Sequence, residues 1–187
     1  MKMSESNFTN HSKGMDLDRV IRKVANFPKP GILFYDVTSI FTNPKAFNYI
    51  IEQMAEIYMR ERVDGVVAIE SRGFLLAAPF ALKKGIPLIL ARKKGKLPGA
   101  TYQRSYELEY GSATLEIHKA DLEASKRYLI VDDLIATGGT LEAVAMMIKD
   151  AGAEVAGIFS IVGLPFLNFQ KKIGSYNPKT LIDYHGE

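Results

Sequence analysis

Residues 128–140 read YLIVDDLIATGGT, and three physically different devices follow one another within them. Leu129, Ile130 and Val131 form an apolar run, two of the three β-branched, which predicts a short strand buried on both faces, as in the middle of a parallel sheet. Asp132 and Asp133 end that run. Two ionised carboxylates are too costly inside such a sheet, so they belong at its carboxyl edge, where α/β proteins place ligands. Ala136, Thr137, Gly138, Gly139 and Thr140 come next. The paired glycines let the backbone turn sharply and aim successive N–H groups at one point, with two hydroxyls beside it. Leu141, Val144, Ala145 and Ile148 then recur at helical spacing, so this cradle lies at a helix N-terminus, where a phosphate fits.

Ionised carboxylates accept hydrogen bonds and sugar hydroxyls donate them, so acids beside such a cradle point to one ligand carrying both a phosphate and a hydroxylated sugar. Phosphoribose satisfies both ends. The Walker A pattern GxxxxGK[ST] and the dinucleotide fingerprint GxGxxG are absent from the sequence.

Composition narrows the class. A chain of 187 residues, 47% hydrophobic and 24% charged, is long enough for one well-buried α/β domain and has no stretch long enough to cross a membrane. The absence of cysteine rules out disulfides, a thiolate nucleophile and zinc–thiolate sites, and leaves the redox compartment open. A net charge of +3 falls well short of the basic bias of a general nucleic-acid binder. Residues 1–15 are polar and lack the apolar core of a signal peptide, so they are expected to form a flexible tail before a single domain over residues 16–187, with the cytoplasm as the expected location.

Along the chain, Leu17, Val20, Ile21 and Val24 predict a short amphipathic helix over residues 16–27. Pro28-Lys29-Pro30-Gly31 is a stiff turn, and residues 32–36 are extended, serving either as a rigid connector or as a backbone edge that reads a ligand. Asn43 is an N-cap with Pro44 at N1 for a core helix carrying Phe47, Ile50, Ile51 and Met54. Residues 66–69, 70–73 and 74–84 repeat the pattern of strand, polar loop and helix, and Arg72 beside Gly73 can hold a second anion there. A strand over residues 86–91 leads into the densest charge run, Arg92-Lys93-Lys94-Gly95-Lys96. That run suits a solvated face, an RNA contact or a polyanionic small molecule. Residues 99–111, long, polar and tyrosine-rich, fit a mobile flap that excludes water, and Glu107 and Glu109 within them are both available as acid or base. A strand with one solvated face is expected over residues 114–118, where His118 has no partner at metal-ligand spacing. A strand over residues 154–162, a short helix over 165–173 and an edge at 181–184 propose no chemistry.

Several of these stretches, in register, carry a resemblance. VDDLIATGGT (residues 131–140) resembles the phosphoribosyl pyrophosphate (PRPP) signature of type I phosphoribosyltransferases, and its ATGGT ending is most like the adenine-specific members. FPKPGILFYD (27–36), ESRGF (70–74), and RKKGKLPG (92–99) followed by YELEYG (106–111) agree in order and spacing. The repeated units predict an α/β fold with a central parallel sheet flanked by helices; the resemblance adds a small N-terminal hood over about residues 16–42. It implies transfer of phosphoribose from PRPP to adenine, giving AMP and pyrophosphate. Leu33, Phe34 and Tyr35 would then lie against adenine, and Asp132 and Asp133 would hold the ribose hydroxyls. Residues Ala136, Thr137, Gly138, Gly139 and Thr140 would take the 5′-phosphate. Ser71, Arg72, Arg92, Lys93, Lys96 and Tyr110 would hold pyrophosphate, beside a cis peptide at Glu70-Ser71. Glu109 matches the catalytic glutamate. Mg²⁺ is expected to be carried by PRPP and water, with no direct protein ligand. Arg92 is expected to reach a neighbouring subunit, which implies a homodimer; neither nucleic acid nor membrane is an expected partner. Tyr35 departs from the family, which usually has Arg or Lys there; a tyrosine can stack, donate a hydrogen bond or pack. That departure keeps other purine bases open, and a regulator that only binds PRPP is the alternative from another class.

Overall fold

The structure is a computed structural model that describes residues 14–107 and 111–186. In chain order its elements are α1 (Leu17–Val20), β1 (Arg22–Ala25), β2 (Leu33–Asp36), α2 (Thr38–Phe41), α3 (Pro44–Ile57), β3 (Gly65–Ile69), α4 (Gly73–Lys84), β4 (Leu88–Lys93), β5 (Thr101–Glu107), β6 (Ser112–His118), β7 (Arg127–Val131), β8 (Leu134–Ile135), α5 (Gly139–Asp150), β9 (Glu154–Gly163), α6 (Gln170–Ile173) and β10 (Pro178–Asp183).

The main sheet runs β10-β9-β7-β3-β4-β6-β5. Its first five strands are mutually parallel, and β5 and β6 extend it as an antiparallel hairpin. The expected parallel sheet is therefore right for its centre and incomplete at this edge. Side chains alternate across the strands: Val66, Ala68, Leu129, Val131, Phe159 and Ile161 join the core under α3 and α4, while Val67, Ile69, Tyr128, Ile130 and Ile158 join the core under α5. Burial on both faces is what a continuous apolar run signals. Asn43 caps α3 as expected, its side chain accepting from Ala46 N at 3.2 Å.

Three expectations are corrected. Over residues 16–27 the helix is only one turn long, because residues 22–25 pair antiparallel with residues 33–36; β1 and β2 form the hood, joined by the turn that carries a cis Phe27-Pro28 bond. Within residues 99–111, the stretch expected as a flap contains a regular strand, β5, paired along its whole length with β6. In β6 the buried residues are consecutive, Leu115, Glu116 and Ile117, so neither face is simply solvated there. Of the expected tail, residues 1–13 lie outside the described residues, and Met15 packs against the core.

Candidate active site

β7 delivers Asp132 and Asp133 to the carboxyl edge of the sheet, and the chain then makes the short strand β8 before turning into α5. The turn requires Gly138, which is left-handed at φ +81° and lies against Phe169 and Ile173. A cavity of about 360 Å³ opens here. Asp132, Leu134, all five residues from Ala136 to Thr140, Leu141, Glu107 and Lys172 line it. The structure thus brings the expected phosphate cradle and one of the two acids into a single concavity at the N-terminus of α5.

Asp133 does not line this cavity; it is 5% exposed and accepts from Arg72 Nε at 2.6 Å. Burial works against the Arg72 charge, but Asp133, Asp132 and Asp36 outweigh it and hold its pKa above the ordinary value. Only Nε is used in that bond, which leaves the two terminal NH₂ groups of the guanidinium for an anion. Asp132 accepts from Asp133 N at 2.9 Å. Burial, and then the neighbouring Asp133 charge, push the Asp132 carboxyl well above the ordinary carboxylate range. Such a displaced acid in a cleft marks a functional site.

The ESRG loop meets this pair edge to edge. Its Glu70-Ser71 peptide is cis, as the resemblance implied. A Cβ on Gly73 would stand 2.6 Å from Val131 O and 3.3 Å from Asp132 Cα, so a glycine is what allows α4 to start against the end of β7. Ser71 is exposed at the loop. Glu70 accepts from Arg92 Nε at 3.1 Å and from Lys93 N at 3.0 Å. Lys93, the last residue of β4, and Lys96, in the loop after it, are both exposed. That loop is fixed by a residue the sequence reading passed over: buried Glu116 accepts from Lys96 N and Leu97 N, both at 2.8 Å.

The hood separates its residues by face. Leu33 and Tyr35 turn to the core. Phe34 and Asp36 occupy the alternate face, Phe34 edge-on to Phe27 with centroids 5.0 Å apart and Asp36 close enough to add to the field on Arg72. Tyr35, expected against the base, is 7% exposed and stacks on Tyr184; its side chain packs, and only its backbone stays on the hood strand. Glu109 and Tyr110 lie outside the described residues. Glu107 and Lys172 were not singled out for the cradle, and both line it; nothing local in sequence links Lys172 to residues 136–140. Among the described residues no three His, Cys, Asp or Glu side chains converge as metal ligands, and no helix is long and apolar enough to cross a membrane.

A sheet edge with a carboxylate pair, an anion cradle and a second anion loop defines a phosphoribosyl transferase, and residues 36–181 match the phosphoribosyl transferase domain. Over 171 residues the chain is 56% identical to the adenine phosphoribosyltransferase of Treponema denticola, covering 91% of this chain and 90% of that one. Its fold matches that of adenine phosphoribosyltransferase from Thermoanaerobacter pseudethanolicus with a TM-score of 0.85 at 42% identity, covering 89% of this chain and 97% of that chain. The Saccharomyces cerevisiae adenine phosphoribosyltransferase, solved with adenine and an imino-altritol bisphosphate, matches with a TM-score of 0.83 at 36% identity, over 89% of this chain and 96% of that chain. The chain belongs to the phosphoribosyl transferase family, on its adenine phosphoribosyltransferase branch.

Proposed function

We propose that the chain transfers the 5-phosphoribosyl group of PRPP to adenine, forming AMP and pyrophosphate in purine salvage. The observation that carries this reading is the shared cavity in which Asp132 stands beside the Ala136 to Thr140 cradle, one end suited to ribose and the other to phosphate. Similarity to adenine phosphoribosyltransferases of several organisms supports the choice of base.

In this mechanism pyrophosphate leaves the anomeric carbon before the purine nitrogen has bonded fully, so stabilising charge is the main task. The cradle anchors the 5′-phosphate with backbone N–H groups at the α5 N-terminus. Asp132, which lines the cavity, holds the ribose hydroxyls and offers negative charge to the developing oxocarbenium, while Asp133, outside the lining, fixes Arg72 beside it. Ser71, Arg72, Arg92, Lys93, Lys96 and Tyr110 receive the departing pyrophosphate. Phe34, on the hood face turned from the core, covers adenine, Leu33 adds its backbone edge, and Glu109 moves the purine proton. Mg²⁺ carried by PRPP would neutralise pyrophosphate charge, and Asp132 and Asp133 would give it anionic surroundings without forming a closed set of ligands. Tyr35, buried with its ring turned from the base side, gives no reason to prefer another purine.

A homodimer is the assembled form. Leu75, Leu82 and Leu88, 48%, 86% and 38% exposed, give the α4 and β4 face an uncovered apolar stripe that a second copy would bury. PRPP, a highly charged substrate, does not cross membranes unaided, which supports a cytoplasmic location.

Purified protein with PRPP and Mg²⁺ is offered adenine, hypoxanthine, guanine, xanthine or orotate separately, and nucleotide formation is followed. AMP alone is the expected product. Another nucleotide overturns the choice of base, and PRPP binding without any nucleotide overturns catalysis.

A further inference from the structure

We infer that Lys172 is a ligand of the substrate's 5′-phosphate, contributed by the C-terminal segment to a cradle whose own five residues carry no charge. The inference rests on the phosphoribosyl reading above and adds to it a residue from outside the signature.

The placement follows from packing. Phe169 and Ile173, four residues apart and 2% and 0% exposed, lie against Gly138, with Phe169 Cβ 3.3 Å and Ile173 Cγ1 3.4 Å from the point where a Cβ would stand. Residues four apart share a helix face and their neighbours flank it. Lys172 is therefore carried on the shoulder of the turn that grips the cradle. Its Nζ lies 3.7 Å from the Cβ position of Gly139, at the first residue of α5. Lys171, next to it, is exposed and does not line the cavity.

Charge makes the same point. The described residues lining the cavity include two acids, Asp132 and Glu107, and one cation, Lys172. A 5′-phosphate brings close to two negative charges. Backbone N–H groups and a helix N-terminus supply partial charges only, so without Lys172 the dianion would face two carboxylates with no full positive charge in the lining. Lys172 makes no ion pair among the described residues. Its ammonium is on hand for the ligand. A lysine serves well here because it meets a phosphate as a compact point charge on a flexible stem.

The test compares Lys172→Gln, Lys172→Arg and the neighbouring control Lys171→Gln by equilibrium binding of ribose 5-phosphate and by steady-state kinetics, after thermal melts have matched the variants to the parent. Lys172→Gln is expected to weaken ribose 5-phosphate binding and raise KM for PRPP by about 10- to 100-fold, the size of a charge-assisted hydrogen bond, with KM for adenine unchanged. Lys172→Arg recovers most of the loss, and Lys171→Gln has no effect. A change under about threefold in Lys172→Gln, or an equal loss in Lys171→Gln, overturns the assignment. The two readings separate cleanly. If the parent makes no AMP yet binds ribose 5-phosphate in a Lys172-dependent way, the transferase reading falls and the ligand stands; if AMP forms normally in Lys172→Gln at low PRPP, the ligand falls and the transferase stands. A parent that neither binds ribose 5-phosphate nor makes AMP overturns both.

Discussion

Tyr35 stacks on Tyr184 with ring centroids 3.8 Å apart and planes 13° from parallel. This contact joins the hood strand β2 to the residue that follows β10, so the two ends of the described chain hold each other. The Tyr184 hydroxyl donates to Asp18 Oδ1 at 2.8 Å, and Lys23 donates to the same carboxylate at 2.6 Å. Burial and the Asp18 bond push the Tyr184 pKa up, so the hydroxyl stays a donor at neutral pH. The tyrosine at position 35 is thus answered by an aromatic partner on the body of the protein.

Removing only the hydroxyl, in Tyr184→Phe, should cost about 1 kcal/mol of stability. Tyr184→Ala also removes the aromatic pair, about 0.5–1.5 kcal/mol more beyond its buried area, and frees the hood. Urea titration reads the first effect. For the second, KM for adenine is expected to rise several-fold while KM for PRPP holds, and an adenine KM unchanged in Tyr184→Ala would show that the latch does not position the hood.

Asp132 sets stability against function. Its folded-state pKa is raised by burial and by Asp133, so the folded protein binds this proton more tightly than the unfolded chain. Stability is therefore lost as pH rises above the unfolded value of 3.8, and at neutral pH the penalty is present. Asp132→Asn keeps an acceptor for Asp133 N and removes the charge. In the ligand-free protein it should raise the melting temperature by about 2–4 °C at pH 7, with the gain fading below pH 4 or so, while transfer activity falls. A variant that melts lower at pH 7 would contradict this assignment.

What the sequence disclosed, and what it did not, divides by range. β7, the cradle and α5 were legible because burial on both faces, the acids and the glycine pair are all local to residues 128–150. Leu17, Val20, Ile21 and Val24 fit helical spacing through residues 22–25, but pairing with residues 33–36, a tertiary fact, wins there. Residues 99–111 read as a flap because they are long, polar and tyrosine-rich, and the ladder of β5 to β6 is not visible in them. Lys172 lies 33 positions beyond Gly139, and only the packing of Phe169 and Ile173 on Gly138 brings it to the cavity. Tyr35 could stack, donate or pack on sequence grounds, and Tyr184 decides the matter.

Glu109 carries the proton transfer in the proposed mechanism. Glu109→Ala should lower kcat by about two to four powers of ten, with PRPP binding retained. Single-turnover measurement with saturating PRPP and adenine isolates the chemical step, and a near-normal rate there would remove Glu109 from the role.

Glu116 acts at one remove from the anion. Its buried carboxylate takes the N–H groups of Lys96 and Leu97 and so gives the basic loop its shape. Glu116→Ala leaves both donors without their partner and should cost about 2–3 kcal/mol, with KM for PRPP raised through Lys93 and Lys96. Glu116→Gln keeps one acceptor oxygen and should lose less on both counts; if the glutamine variant were as impaired as the alanine, the loop's shape would depend on the charge and not on acceptance.

Gly73 is where the two anion loops touch, and steric reasoning makes its replacement informative. The Cβ of Gly73→Ala would lie 2.6 Å from Val131 O, a main-chain atom in a strand held between β3 and β9. β7 is fixed on both sides and cannot give way, so α4 must shift instead. Overpacking of this kind costs about 1–3 kcal/mol. The shift also carries Arg72, one residue before Gly73, away from Asp133, whose contact at 2.6 Å leaves little slack. Gly73→Ala is accordingly expected to melt lower and to lose kcat/KM for PRPP by about tenfold or more, since small displacements of positioning groups are costly in rate. Addition of Arg72→Ala to Gly73→Ala should then produce less further loss than Arg72→Ala alone, because both changes remove the same interaction. Fully additive losses would mean that Gly73 is needed for packing only and does not act through Arg72.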